Sequence, residues 1–382
     1  MSAARGPGDE FESGNVMRVR DLEHTIQQNC DISDARDNGI YSICSLVLRL
    51  RNHYKWERGL EPWDEPDSPV LLEWIAEKEA LWETIRERPF LPLTLGEHRF
   101  DPYQAEPVNE YLSGEGLLYG AGFGKSMKSI FFLGEILETR FVEGYPAVIL
   151  GMELARELAS PFAMVQEGTI FLRRDPLRFF FWDQIQEAGI SGKAPLKHTL
   201  GRCGLLNEKG AVDRGLLRER LDSIVDQETT TILRHEVGEL QDGPLDSKTL
   251  QRIAAAFPDS PVEFFARAVK DVLADTHPRG LMGHVLEEKR EISLGFYCSF
   301  LGGLRQVLFP EILPAANRFL ADGNWDGIEE ACRLSRQANQ IRAEQLNEIC
   351  RLIDREPIDQ LVDRANRELL APLGLGWERS RQ

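Results

Sequence analysis

Three of the seven histidines are followed four residues later by a glutamate: His53 and Glu57, His235 and Glu239, His284 and Glu288. Residues four apart share one face of an α-helix, so each pair would present an imidazole beside a carboxylate. Under composition alone, three such pairs are on the order of a one-in-thirty event. Imidazole and carboxylate are ligands for a divalent ion. An exposed pair at this spacing is equally an ordinary surface contact, worth a few tenths of a kcal/mol. The residues around each pair therefore decide.

Leu217, Leu221, Ile224, Glu228, Ile232, His235 and Glu239 form one helical stripe that starts apolar and becomes ionisable. Ile43, Leu46, Leu50, His53 and Glu57 repeat the pattern. His277, Leu281, His284 and Glu288 share a third face, with Pro278 in the first turn. Ionisable groups are costly to bury unless they pair or bind a metal. The three stripes thus predict a histidine–carboxylate centre in a helical bundle. Its expected ligands are His53, Glu57, His235, Glu239, His284 and Glu288, with Glu228 and His277 in support. Glu236 is the expected base. The expected cofactor is one or two divalent ions, iron or manganese before zinc, because cysteine ligands are missing.

The elements that would carry these residues are mostly helices. Residues 18–30, 35–58, 69–88 and 106–113 read as helices, and so do 130–141 (IFFLGEILETRF) and 175–188. YPAVILGM and TIFLRR are short β-like runs on either side of the helical-looking ELARELAS. From 213 onward the chain reads as helix almost throughout, including one long helix over 278–306. The expected fold is mainly α: a C-terminal all-α bundle, and an N-terminal helical part with a small α+β patch at about 115–175. Expected boundaries are a disordered tail 1–17, an N-terminal domain 18–204 with a linker near its end, and the bundle 205–382.

A chain of 382 residues with 42% apolar content has the makeup of a globular protein. No run is apolar enough to span a bilayer, and the N-terminus lacks a signal-peptide pattern, so no membrane role is expected. Six scattered cysteines without CxxC point to reduced thiols in the cytoplasm. A net charge of -17 disfavours nucleic acid as a partner.

GAGFGKS at 120–126 resembles a phosphate-binding P-loop, but the first glycine of GxxxxGK[ST] is replaced by Tyr119, so no nucleotide is expected. HEVGE begins like a zinc-protease helix but lacks the second histidine of HExxH. The seven-residue spacing of Glu228 and His235, followed by a helix with His284 and an acid four later, resembles the heme-oxygenase-like di-metal oxidases. That likeness implies a helical fold around two ions, although a further histidine of that pattern is here Glu291. The GAGFGKS turn, the ELARELASP segment and the RHEVGE helix together resemble an uncharacterised bacterial family, which implies a bacterial origin and a two-part architecture. The expected function is a metalloenzyme, hydrolase or oxidase, with a small-molecule substrate. The competing class is a non-enzymatic interaction or regulatory protein with structural His–Glu pairs.

Overall fold

The computed structural model describes residues 7–191, 194–241, 243 and 245–376. Residues 1–6 of the expected tail and 192–193 of the expected linker lie outside this range. The chain divides into two compact units. The first is Met1–Arg140, Val148–Glu167 and Phe171–Phe179; the second is Phe141–Ala147, Gly168–Ile170 and Phe180–Gln382.

The first unit begins with α1 (Pro7–Asp37), α2 (Ile43–Glu57) and α3 (Ser68–Ile85). Ser42 caps α2, and Pro69 sits in the first turn of α3, where its missing N–H costs nothing. Ile32 and Ala35, Leu50 and Tyr54, and Trp74 and Trp82 pack into one apolar cluster from these three helices. Strands β1 (Leu93–Leu95) and β2 (His98–Phe100) form a small hairpin, and α4 (Ala105–Tyr111) follows.

A five-stranded sheet comes next: β3 (Leu117–Phe123), β4 (Ser129–Val142), β5 (Tyr145–Arg156), β6 (Ala163–Gln166) and β7 (Thr169–Arg173), in the order β3-β4-β5-β7-β6. Two reversals use two-residue turns, Glu143–Gly144 and Glu167–Gly168. All four residues have positive φ (53°, 85°, 52° and 77°), as this hairpin turn requires.

This sheet overturns the mainly-α expectation: with it and the β1–β2 hairpin the architecture is mixed α/β. The segment 130–141, expected as helix, is most of β4, and ELAR of the helical-looking ELARELAS ends β5. The physical reason is burial. Ser129–Gly134 is buried at every position, so β4 has no alternating pattern there, and an apolar run buried on both sides has the periodicity of neither element.

The glycines of GAGFGKS serve the same sheet. Gly120 pairs across the ladder with Phe132, and a Cβ at 120 would lie 2.0 Å from that ring. A 3-10 turn, Lys125–Met127, leads straight into β4. The geometry is strand–turn–strand, whereas a P-loop runs from strand into helix.

After α5 (Arg174–Ser191), the second unit is helical: α6 (Ala194–Arg202), α7 (Arg214–Glu239), α8 (Ser247–Ala256), α9 (Pro261–Asp275), α10 (Leu281–Glu287), α11 (Glu291–Phe300), α12 (Gly303–Leu308), α13 (Ile312–Asp322), α14 (Asp326–Leu352) and α15 (Ile358–Ala365). Asp213, Asp246 and Ser260 cap α7, α8 and α9 with side-chain acceptors. The long helix expected over 278–306 is three helices. Lys289, with a φ of 52°, parts the first from the second, and the extended backbone of Leu301 and Gly302 parts the second from the third. Phe265, Val269, Met282, Leu308, Phe309 and Leu346 lie at the centre of the apolar core.

All six cysteines are free. Cys44 is exposed, Cys203 half-buried, and Cys30, Cys298, Cys332 and Cys350 buried. Among the described residues, no helix is long and apolar enough to cross a membrane.

Candidate metal centre

The site forms where α7 meets α9. Gly238 allows the approach: a Cβ there would lie 2.2 Å from the carbonyl oxygen of Ala274. With the backbones this close, two i,i+4 pairs face each other, His235 and Glu239 from α7 and Asp271 and Asp275 from α9.

One ligand atom each from His235, Glu239 and Asp271 lies within 4.8 Å of the other two. Two ligands of one ion, each bonded at 2.0–2.2 Å, are separated by at most about 4.4 Å, so closure needs only a few tenths of an ångström. This is the one such group of three or more among the described residues.

Asp275 does not join the group but orients it. Its Oδ1 lies 2.7 Å from Nδ1 of His235. The carboxylate can only accept, so Nδ1 carries a proton. The opposite nitrogen, Nε2, then faces Glu239 Oε1 at 3.6 Å, too long for a hydrogen bond. This is the carboxylate–histidine arrangement that presents an imidazole to a metal. Asp275 is itself fixed by the Tyr297 hydroxyl at 2.9 Å and by Arg305 at 2.5 Å. Burial would raise its pKa, but Arg305 and His235 outweigh burial and hold it at about 2.

The other groups feel the same competition. Burial opposes charge on His235, but Asp275 outweighs it and lifts the imidazole well above its usual range. A proton at Nε2 thus competes with any metal. Glu239 is held low against burial by His235 and Lys270, whose ammonium is 3.6 Å from its second oxygen. Asp271 is raised by burial, with Arg305 opposing. Glu236 is buried, and its pKa is raised by burial and by Glu239.

A cavity of about 100 Å³ opens beside the group. Glu239 belongs both to the group and to the cavity wall, and Lys270, His277, Arg336 and Gln340 line it further.

Of the sequence-derived residues, the structure brings His235 and Glu239 together and sets Glu236 beside them. The other pairs do not form such a group. His53 is buried against Trp56 and Trp74, and its Nδ1 lacks a hydrogen-bond partner. Burial drives its pKa well down, so the ring is neutral. Glu57 accepts instead from the Trp74 indole at 3.1 Å and pairs with Lys78 at 3.3 Å. Neither nitrogen of buried His284 has a hydrogen-bond partner, and burial with Arg290 and Arg234 lowers its pKa to about 4. Glu288 is exposed at the end of α10, one residue beyond the helix. Glu228 accepts from Ser293 at 2.7 Å and lies 3.6 Å from Arg290. His277 takes the Arg279 N–H on Nδ1 at 3.1 Å and lines the cavity.

Asp271 and Asp275 were not among the expected ligands. Their signal was present: two aspartates four apart in KDVLAD, on a helix with an apolar stripe. A search keyed on histidine passes over it.

Family models for the N-terminal and C-terminal domains of a family of unknown function, DUF6866, match residues 21–173 and 178–368. No curated protein and no solved structure matches the chain.

Proposed function

This chain belongs to DUF6866, a two-domain family of unknown function, and we propose that it is a metalloenzyme with one divalent ion held by His235, Glu239 and Asp271. The observation that carries the reading is the grouping of these three ligand atoms within 4.8 Å, with Nδ1 of His235 already committed to Asp275. One imidazole and two carboxylates are a hard, oxygen-rich set that suits iron or manganese better than zinc. Three protein ligands leave coordination positions open, and an ion so held supplies Lewis acidity to a bound water or substrate oxygen. Glu236, buried and with its pKa raised by that burial and by Glu239, is the proton donor or acceptor next to the centre. The substrate is a small molecule that enters by the adjoining cavity. The cytoplasm is the compartment that keeps six unpaired cysteines reduced.

A second reading has its own support. Lys270 lies near Glu239, and Arg305 and Tyr297 hold Asp275, so an imidazolium at His235 would complete a closed ion-pair network. The protein would then be an interaction or regulatory module.

Elemental analysis of protein purified without an affinity tag separates the two. The metalloenzyme carries close to one iron or manganese per chain, and His235→Ala and Asp271→Asn each lose it while remaining folded. Metal-free protein that takes up neither ion, with a melting temperature indifferent to a strong chelator, supports the ion-pair module and overturns the metalloenzyme.

A further inference from the structure

The cavity beside the centre carries a charge pattern that selects among substrates. Among the described residues that line it, Lys270 and Arg336 are cationic and Glu239 is the sole carboxylate. Glu239 already faces Lys270 and the group at His235. Arg336 has no carboxylate partner among the described residues. Its hydrogen bond goes from Nη1 to the backbone oxygen of Leu273 at 2.9 Å, and its burial pushes its pKa down. A half-buried guanidinium without an anion is costly in a chain with 62 acidic residues to choose from. His277 adds a donor: with Nδ1 accepting from Arg279, its neutral ring carries the proton on Nε2.

The size is also informative. A cavity of about 150 Å³ holds a six-carbon ring, so one of about 100 Å³ takes roughly four to six non-hydrogen atoms. Inorganic phosphate and a two- or three-carbon carboxylate fall in that range.

We propose that this cavity binds the anionic end of the substrate, a carboxylate or phosphate group seated on Arg336 and Lys270 with the Gln340 amide in reach, so that the rest of the molecule meets the ion beside Glu239. The substrate role rests on the metal-centre reading; the anion site itself does not. Arg336 and a planar or tetrahedral oxyanion make paired, charge-assisted hydrogen bonds. Gln340 and the open side of the cavity leave room for a longer substrate to extend.

Calorimetry on the full chain tests this with two probes, inorganic phosphate and pyruvate, at matched ionic strength, each with chelator-stripped and with manganese-loaded protein. At least one probe binds the stripped protein saturably in the millimolar range, and which one binds tells phosphate from carboxylate. Arg336→Met weakens it about tenfold, and Arg336→Lys recovers part of the loss. Manganese tightens binding in the wild type but not in His235→Ala. Binding of neither probe, or equal binding by wild type and a folded Arg336→Met, overturns the inference even if the protein holds metal. Arg336-dependent binding with no manganese uptake leaves the anion site standing and removes the metalloenzyme.

Discussion

Asp275 decides what His235 can do. A fully buried carboxylate fixed by a tyrosine, an arginine and an imidazole has no freedom to rotate, so it sets both tautomer and ring direction. Asp275→Asn keeps the shape but removes the charge. Metal affinity, measured against a competing chelator, should fall about 10- to 100-fold. Stability should fall by about 3 kcal/mol, because Arg305 loses its counter-charge. Unchanged affinity would detach Asp275 from the centre. His277 gives a pH signature. Its pKa is lowered from 6.5 to about 4 by burial and by Arg336 and Arg279. The unfolded chain therefore takes up a proton between pH 6.5 and 4 that the folded protein refuses, so this group lowers stability as pH falls through that window and has no effect above it. Solvent screening of a partly exposed ring leaves about 1 kcal/mol at the acid end. His277→Gln should flatten the acid limb of stability against pH by that amount and match the wild type at pH 8. Parallel curves would refute the assignment.

The crossing of α7 and α9 depends on Gly238, and two effects oppose each other there. Alanine is better than glycine in a helix by about 1 kcal/mol. A methyl 2.2 Å from a backbone oxygen forces the helices apart, and overpacking of this kind costs about 1–3 kcal/mol. Because the obstacle is backbone, the clash should win. Gly238→Ala should lower the urea midpoint by an amount equivalent to at most about 2 kcal/mol, and weaken metal binding with it. A stabilised variant with full affinity would mean that the helices cross without needing the glycine. Helices α7, α8 and α9 were legible because caps and a proline mark their starts: Asp213, Asp246, and Ser260 with Pro261. The sheet was harder to read because β4 is buried on both sides where it is most apolar. Its turns were the available clue, since Glu143–Gly144 and Glu167–Gly168 each stand between runs rich in strand-forming residues. The candidate site was half legible. A four-residue spacing can be read within one helix, which found His235 and Glu239. Which second helix faces them is a tertiary fact, and it depends on Gly238, which marks no partner in the sequence.

At the scale of the whole molecule, each unit holds a buried carboxylate paired with a cation. In the first unit Lys128 and Asp34 meet at 2.8 Å, both almost wholly buried. In the second, Asp275 is wholly buried, while its partner Arg305 keeps about a third of its side chain exposed. Buried pairs of this sort favour one arrangement strongly over its alternatives, since either charge left alone is expensive. Only the second unit carries the proposed ligands, so metal bound there should stabilise that unit by about 4 kcal/mol at a thousandfold excess over the dissociation constant. The cysteines make this measurable. Cys30 is buried in the first unit, and Cys298 and Cys332 in the second, where burial lifts both thiols to about 12. Thiols in that condition are inert to alkylating reagents until the surrounding structure opens. Each unit thus contains its own chemical clock. In a heating series read by mass spectrometry, exposed Cys44 is modified at once, while the temperatures at which Cys30 and the Cys298–Cys332 pair become reactive time the two openings separately. A chelator should advance the second clock and leave the first unchanged. If it advances neither, no metal stabilises the fold; if both advance together, the two units open as one.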